Sequence, residues 1–292
     1  MKVRVHATIA NFGPGFDVFG VGVGKPYDEL SFKESDEWMV RVKGYQVPEN
    51  SNNIAIVSAK ALAAMVGEET ALEMKLTKGI RPKSGIGSSG ASSLAGALAM
   101  AKVLGVEDDE MILRAAMEGE RVASGSVHGD NVIPAYYGDF TIIESYEPLK
   151  IWRIPVNFEV VVVLPAIEIP TSEARKILPS KIPRKDAIRN LALAASLILA
   201  LKENDLQTVG RLLDDRIALP YRKQLMQWYE TVREAALEAG AYGFSVSGSG
   251  PAVFAIGEDV AQIGKVIAET FSGMDIKADV YVTKVGRGAI WF

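Results

Sequence analysis

Hydrophobic and polar residues alternate from the start of the chain. Val3, Val5 and Ala7 take one parity and Lys2, Arg4 and His6 the other, the period-two pattern of a strand with one buried face. His6 falls on the polar parity and receives no role. The alternation returns over 28–34, 38–44 and 72–78, so the first third is expected to be mostly sheet, interrupted by one helix around 53–66. From Ser88 the period changes: Leu94, Ala97, Leu98, Ala101 and Leu104 recur at three- and four-residue spacing until Gly105, which predicts a helix over 88–104. A second helix is expected from Asp108 or Asp109 to about Ala123, then a loop over Ser124–Asn131 and short strands near 139–144 and 150–154.

The apolar strand Phe158–Leu164 opens a different arrangement, which places a boundary near 155 between an N-terminal domain, 1–155, and a C-terminal domain, 156–292. Helices are predicted over roughly 185–203, 205–217 and 223–239. GFSVSGSGPAVFAIG folds back on itself at Gly248–Gly250, and a helix at 259–272 and a strand at 277–285 complete the chain. Strand, helices, strand, strand, helix, strand is the order of a ferredoxin-like split βαβ unit. The longest strongly apolar stretch, Leu191–Leu201, has 11 residues, where a membrane span needs about 20; it reads as a buried helix. MKVRVHATIA lacks the apolar stretch and cleavage signature of a secretory signal, so a cytoplasmic protein without a membrane partner is expected.

Composition narrows the function classes. A hydrophobic fraction of 48% against 23% charged supports a buried core and excludes disorder. A net charge of −4 with both signs interspersed gives no broad footprint for nucleic acid. Cysteine is absent and only His6 and His128 are histidines, which removes disulfides, thiolate sites and a histidine-rich zinc centre.

The richest segment for chemistry is PKSGIGSSGASS, residues 82–93, where glycine and serine crowd before a good helix, so backbone amides can cradle an anion at its positive end. Gly85, Gly87 and Gly90 satisfy G-x-G-x-x-G, but the dinucleotide fingerprint follows a buried parallel strand directly, and here an amphipathic strand and Gly79–Ser84 intervene. No Gly-Lys-Ser/Thr closes a Walker A loop. A plain glycine-serine turn capping a core helix stays open. NFGPGFD at 11–17 and SVSGSGPAVF at 245–254 add two further loops, each of which alone reads equally as a turn.

Together and in order, these three loops resemble the GHMP kinase superfamily, whose members transfer the γ-phosphoryl of ATP to small acceptors. The family's P-x-x-x-G-L-G-S-S-A is similar to P-K-S-G-I-G-S-S-G here, one residue shorter before the glycine pair and with Gly90 for alanine. ATIANFGPGFDVFGVGV, HGDNVIPAYYG at 128–138 and PTSEARKILP at 170–179 look most like the homoserine kinase branch. The resemblance implies an α+β, two-domain GHMP kinase fold: an N-terminal α+β domain with a left-handed-crossover-type nucleotide site, a C-terminal ferredoxin-like domain, and the active site between them. It implies an ATP- and magnesium-dependent kinase phosphorylating an amino acid, homoserine, for threonine synthesis, and it admits a homodimer whose interface no segment locates.

The resemblance also assigns residues. The ATP loop is Pro82, Lys83, Ser84, Gly85, Ile86, Gly87, Ser88, Ser89, Gly90, Ala91 and Ser92; Asn53 contacts adenine; Ser89 and Glu120 are the magnesium ligands. Without it, Asn53 reads as a helix cap, Glu120 as a solvated helix residue and Lys83 as an exposed loop lysine. A zwitterionic acceptor needs a carboxylate for its ammonium and a cationic fork for its carboxylate. Asn11 and Asp17 suit the first; Arg175 and Arg222 suit the second, though either could be an ordinary surface charge and Leu219 replaces the usual acidic residue of the Arg222 motif. His128 joins the acceptor set. The catalytic residues the resemblance implies are Asn131, expected to orient the hydroxyl, Arg222, and Asp130, which aligns with a catalytic aspartate of other superfamily members; positioning is expected over proton abstraction. Rival readings are a relative acting on shikimate, pantoate or mevalonate, a non-catalytic nucleotide binder, and a Rossmann oxidoreductase. The 245–254 loop is expected to pack beside the phosphate loop.

Overall fold

The computed structural model describes residues 1–124 and 128–292, so the stretch 125–127 of the loop expected over Ser124–Asn131 lies outside the described residues. In chain order the N-terminal half forms β1 (Lys2–Ala10), β2 (Phe19–Ser35), β3 (Met39–Gly44), α1 (Ile54–Val66), β4 (Ala71–Lys78), α2 (Ser88–Leu104), α3 (Asp109–Ser124), α4 (Val132–Tyr137), β5 (Phe140–Tyr146) and β6 (Leu149–Ile154). The C-terminal half forms β7 (Glu159–Pro165), α5 (Thr171–Lys176), α6 (Arg184–Lys202), α7 (Leu206–Arg211), α8 (Leu219–Arg222), α9 (Tyr229–Glu238), β8 (Ala241–Val246), β9 (Val253–Gly257), α10 (Val260–Ser272), β10 (Ala278–Lys284) and β11 (Ile290–Trp291).

Two sheets organise the molecule. The first runs β11-β1-β2-β4-β3, with β5 on β2 and β6 on β5; the second runs β10-β7-β9-β8 and is antiparallel throughout. Numbering the second sheet's strands in chain order gives 4-1-3-2, the split βαβ arrangement read from the sequence. β3 and β4 pair in parallel through the crossover helix α1. The chain passes from one sheet to the other between β6 and β7, and β11 crosses back to pair with β1.

β7 explains its own continuous apolar run. Val160, Val162 and Leu164 enter a core shared with the first sheet and α1–α3, while Val161 and Val163 enter a second core under α9 and α10. A strand buried on both faces has no polar parity.

Three expectations are corrected. His6 is buried, because on the face that the alternation marks as polar its Nδ1 pairs with Gly288 O at 2.8 Å and its ring stands edge-on to Tyr27. Leu191–Leu201 is only half buried: Leu193, Leu197, Ala200 and Leu201 face inward, and Leu191 and Leu199 are 71% and 63% exposed. The helices expected over 205–217 and 223–239 are shorter. Asp215 accepts hydrogen bonds from the amides of Ile217, Ala218 and Leu219 and so starts α8, and a 3-10 turn at Lys223–Leu225 separates α8 from α9.

Candidate active site

One cleft of about 400 Å³ gathers residues from both halves. One end of it is built by the connection from β4 to α2. Lys83, Gly85 and Gly87 take φ of 55°, 83° and 71°. A Cβ on Gly85 would stand 2.7 Å from the carbonyl oxygens of Ser247 and Gly250, and one on Gly87 would overlap Thr8 Oγ1 and stand 2.8 Å from Asn131 Oδ1, so both positions require glycine. Gly87 starts α2 with no side-chain cap, which turns the first amides of a 17-residue helix toward the cleft. Pro82, Lys83, Ser84, Gly85, Gly87, Ser88, Ser89 and Ser92 line the cleft; Ile86 and Ala91 point into the core, and a Cβ on Gly90 would stand 3.1 Å from Asn131 Cβ. Lys83 ion-pairs with Glu168 at 2.9 Å, both well exposed. The 245–254 loop does pack here: Ser247 Oγ donates to Gly85 O at 2.8 Å and Ala252 N to Ser84 O at 3.0 Å.

Val47, Pro48, Ile54 and Leu76 give the cleft an apolar end. Asn53 beside them caps α1, its Oδ1 accepting from Ala55 N at 3.0 Å and its Nδ2 donating to Pro48 O at 2.6 Å. The capping role is therefore real, and it fixes the loop that forms this end.

Glu120 is buried rather than solvated. Burial pushes its carboxyl up to about 7, against the pull of the Ser89 hydroxyl bonded to it and the nearby Lys78 ammonium. Lys78 is a residue that the sequence reading passed over. It is fully buried, pairs with Asp28 and donates to Ser88 O at 2.7 Å, while Asp28 also accepts from Ser92 Oγ and from the amides of Gly79 and Ile80, each at 3.0 Å. One buried ion pair thus ties β2, β4 and the first turns of α2. The signal was present: Lys78 continues the inward parity of Leu72, Met74 and Leu76, and Asp28 that of Leu30 and Phe32, and a charge on an apolar face needs a partner.

Another side of the cleft begins with the loop 11–17, where Asn11, Phe12 and Asp17 are all left-handed, at φ of 67°, 43° and 58°. Asn11 Oδ1 accepts from Asp17 N at 3.1 Å, the local bond that makes this conformation tolerable. Arg175, on α5, forks onto Asp17 with bonds of 2.8 and 3.1 Å and reaches His128 Nδ1 at 3.2 Å. The two groups expected on opposite ends of a zwitterion therefore meet each other across the cleft. Arg222 is 4% exposed; its NH1 donates to Gly248 O at 2.9 Å, to which Asn11 Nδ2 also donates at 3.0 Å. Gly248 thus joins Asn11 and Arg222 as well as belonging to the loop that packs beside residues 84–85. Asp130 is buried, and burial together with the Asp17 charge raises its carboxyl to about 7; burial and the Arg175 charge hold His128 below its ordinary value. Asn131 stands between the two ends, its Oδ1 accepting from Thr8 Oγ1 at 2.7 Å, a partner that the sequence did not single out.

Comparison with known proteins gives the family. Family models described as GHMP kinases N terminal domain and GHMP kinases C terminal match residues 53–139 and 197–273. A homoserine kinase of Thermococcus gammatolerans is 77% identical over the whole of both chains, one of Pyrococcus furiosus 63% identical over the whole of both, and one of Methanococcus vannielii 37% identical over 99% of this chain and 97% of its own. The crystal structure of homoserine kinase from Cytophaga hutchinsonii superposes with a TM-score of 0.90 at 36% identity, covering 99% of this chain and 96% of that one. The mevalonate kinase of L. major in complex with R-mevalonate shares the fold, with a TM-score of 0.74 at 18% identity over 98% and 95% of the two chains. By sequence over its whole length and by fold, the chain belongs to the homoserine kinases of the GHMP kinase family.

Proposed function

We propose that the cleft phosphorylates the hydroxyl of L-homoserine with ATP, giving O-phospho-L-homoserine and ADP. The observation that carries this is the meeting in one cleft of an uncapped helix N-terminus, suited to phosphates, and the Asn11, Asp17, Arg175 and Arg222 cluster, suited to an amino-acid zwitterion. Phosphoryl transfer asks the protein mainly to hold and align the reactants. The amides of Gly85–Gly90 hold the phosphates, and Asn53 with its apolar neighbours receives the adenine. Asp17 and Asn11 take the ammonium and Arg175 and Arg222 the carboxylate, so the acceptor opens the Asp17–Arg175 pair as it binds. Asn131, with Oδ1 engaged by Thr8, keeps its Nδ2 donor for the acceptor hydroxyl.

Ser89 and Glu120 fit a magnesium ion: a hydroxyl and a carboxylate leave room for the phosphate oxygens and water that this cation prefers. When bound, magnesium offsets the negative charge of the phosphates. Because the Glu120 carboxyl is raised to about 7, protons compete with the metal below that pH. The magnesium concentration for half-maximal activity is expected to rise below pH 7 in the unaltered enzyme; Glu120→Gln is expected to raise it at least about tenfold and to remove that pH dependence. Magnesium titrations at pH 6 and 8 check both.

Among the described residues no helix is long and apolar enough to cross a membrane. A cytoplasmic enzyme of threonine biosynthesis, with homodimer formation checked by light scattering, completes the reading. The central test is magnesium-dependent ADP release against homoserine, shikimate, pantoate, mevalonate and no acceptor. Release requiring homoserine supports it, and release with another acceptor, or with none, overturns it.

A further inference from the structure

The two sides of the acceptor site are carried by segments with little regular structure of their own. Asn11 and Asp17 belong to a strained loop, and Arg222 sits on α8, a single turn. What holds these segments in register is a residue outside the cleft. α6 is a 19-residue helix fixed to the core by Leu193, Leu197, Ala200 and Leu201, and on that same inward side it carries Asn190, 5% exposed. A buried amide is costly unless both of its ends are bonded. Here Nδ2 donates to Pro14 O at 2.7 Å, inside the Asn11–Asp17 loop, and Oδ1 accepts from Arg216 N at 3.0 Å. The residue before Arg216 is Asp215, whose carboxylate accepts from the amides of Ile217, Ala218 and Leu219 and so starts the helix bearing Arg222.

These bonds close a ring. Asn11 and Arg222 both donate to Gly248 O; from Arg222 the ring runs down α8 to Asp215 and Arg216, across Asn190 to Pro14, and along the loop back to Asn11. Asn190 is the member of this ring that joins both loops to a rigid helix. We propose that Asn190 is a positioning residue which sets the spacing between the ammonium-binding and carboxylate-binding sides, and thereby the length of hydroxy amino acid accepted. The inference rests on the acceptor reading given above. A polar residue that merely satisfied the core would affect stability and nothing else.

The test compares Asn190→Asp, which keeps the bond from Arg216 N but loses the donor to Pro14 O, with Asn190→Leu, which loses both. KM for homoserine is expected to rise about tenfold in each, while KM for ATP stays within about twofold, since a small displacement of positioning groups acts on the ligand they hold. The preference in kcat/KM for homoserine over serine and 5-hydroxynorvaline, one methylene shorter and longer, is expected to fall at least about fivefold. If Asn190→Leu does not fold, Asn190→Asp carries the same comparison. A lowered melting temperature with unchanged KM and unchanged preference would overturn the proposal, as would equal rises in both KM values. Should the unaltered enzyme act on a different acceptor, the acceptor reading fails, while the KM comparison for that acceptor still decides the role of Asn190.

Discussion

Exchanging Arg222 for methionine is expected to lower kcat/KM for homoserine by about 10²–10³-fold while leaving KM for ATP within about threefold, because truncating a buried, hydrogen-bonded charge costs about 2–5 kcal/mol. Arg222 is 4% exposed, with NH1 on Gly248 O, Nε on Ala174 O at 3.3 Å and its guanidinium 5.2 Å from the Phe16 ring. The site has already borne the cost of burying this cation: burial pulls its pKa down, and the charges of Asp215, Asp17 and Asp130 pull it back. A carboxylate arriving at that place exchanges water for a prepaid charge. Methionine preserves much of the volume and removes the charge, so the acceptor loses its hydration without recompense. Lysine is not expected to rescue, since a point charge cannot reproduce a fork held at two of its nitrogens. Arg175→Met should cost less, about tenfold, because Arg175 is partly exposed and must first leave Asp17. Steady-state kinetics with each substrate varied in turn decides the matter. An equal rise in KM for ATP would move Arg222 to the phosphate side.

The contrast between the two arginines shows what a linear sequence can reveal. Local periodicity located β1, α2 and the β8–β9 hairpin because each is decided by neighbours within a few residues, and the element order after 158 sufficed for the split βαβ unit. The need for glycine at 85 and 87 was legible for the same reason. The Asp17–Arg175 pair joins residues 158 apart in the chain, and no pattern along either segment says that they touch. Only the family resemblance singled out Glu120, since the run MEGER reads as solvent-facing, whereas α1 and α2 pack against α3 and the Glu120 side chain is buried. Lys78 and Asp28 are different: their parity marked both as charges on apolar faces, and opposite charges at inward positions of two strands that pair are a readable sign of a buried ion pair. The helix expected over 205–217 failed because Asp215 offers its carboxylate to three amides ahead of it, local competition that period counting does not weigh.

Asp130→Asn separates the catalytic from the electrostatic meaning of a buried carboxylate. Burial and the neighbouring Asp17 raise this group from 3.8 to about 7. At about 1.4 kcal/mol per pKa unit, that rise is worth up to about 4 kcal/mol. The folded state holds the proton more tightly than the unfolded chain, so the group's contribution to stability is complete below pH 4 and is lost as pH rises through 7. Asparagine does not ionise. The variant should therefore match the unaltered protein near pH 4 and exceed it by up to about 4 kcal/mol at pH 8, with the gap opening between those limits; denaturant unfolding at a series of pH values measures it. Activity is expected to stay within about tenfold, because alignment by Asn131 and stabilisation of the phosphates do not require a proton acceptor. A stabilised variant that loses about 10³-fold in kcat would instead identify Asp130 as a general base. Its burial beside Asp17 would then be the means of bringing its pKa to neutrality, and the stability lost above pH 4 would be the thermodynamic cost of that reactivity.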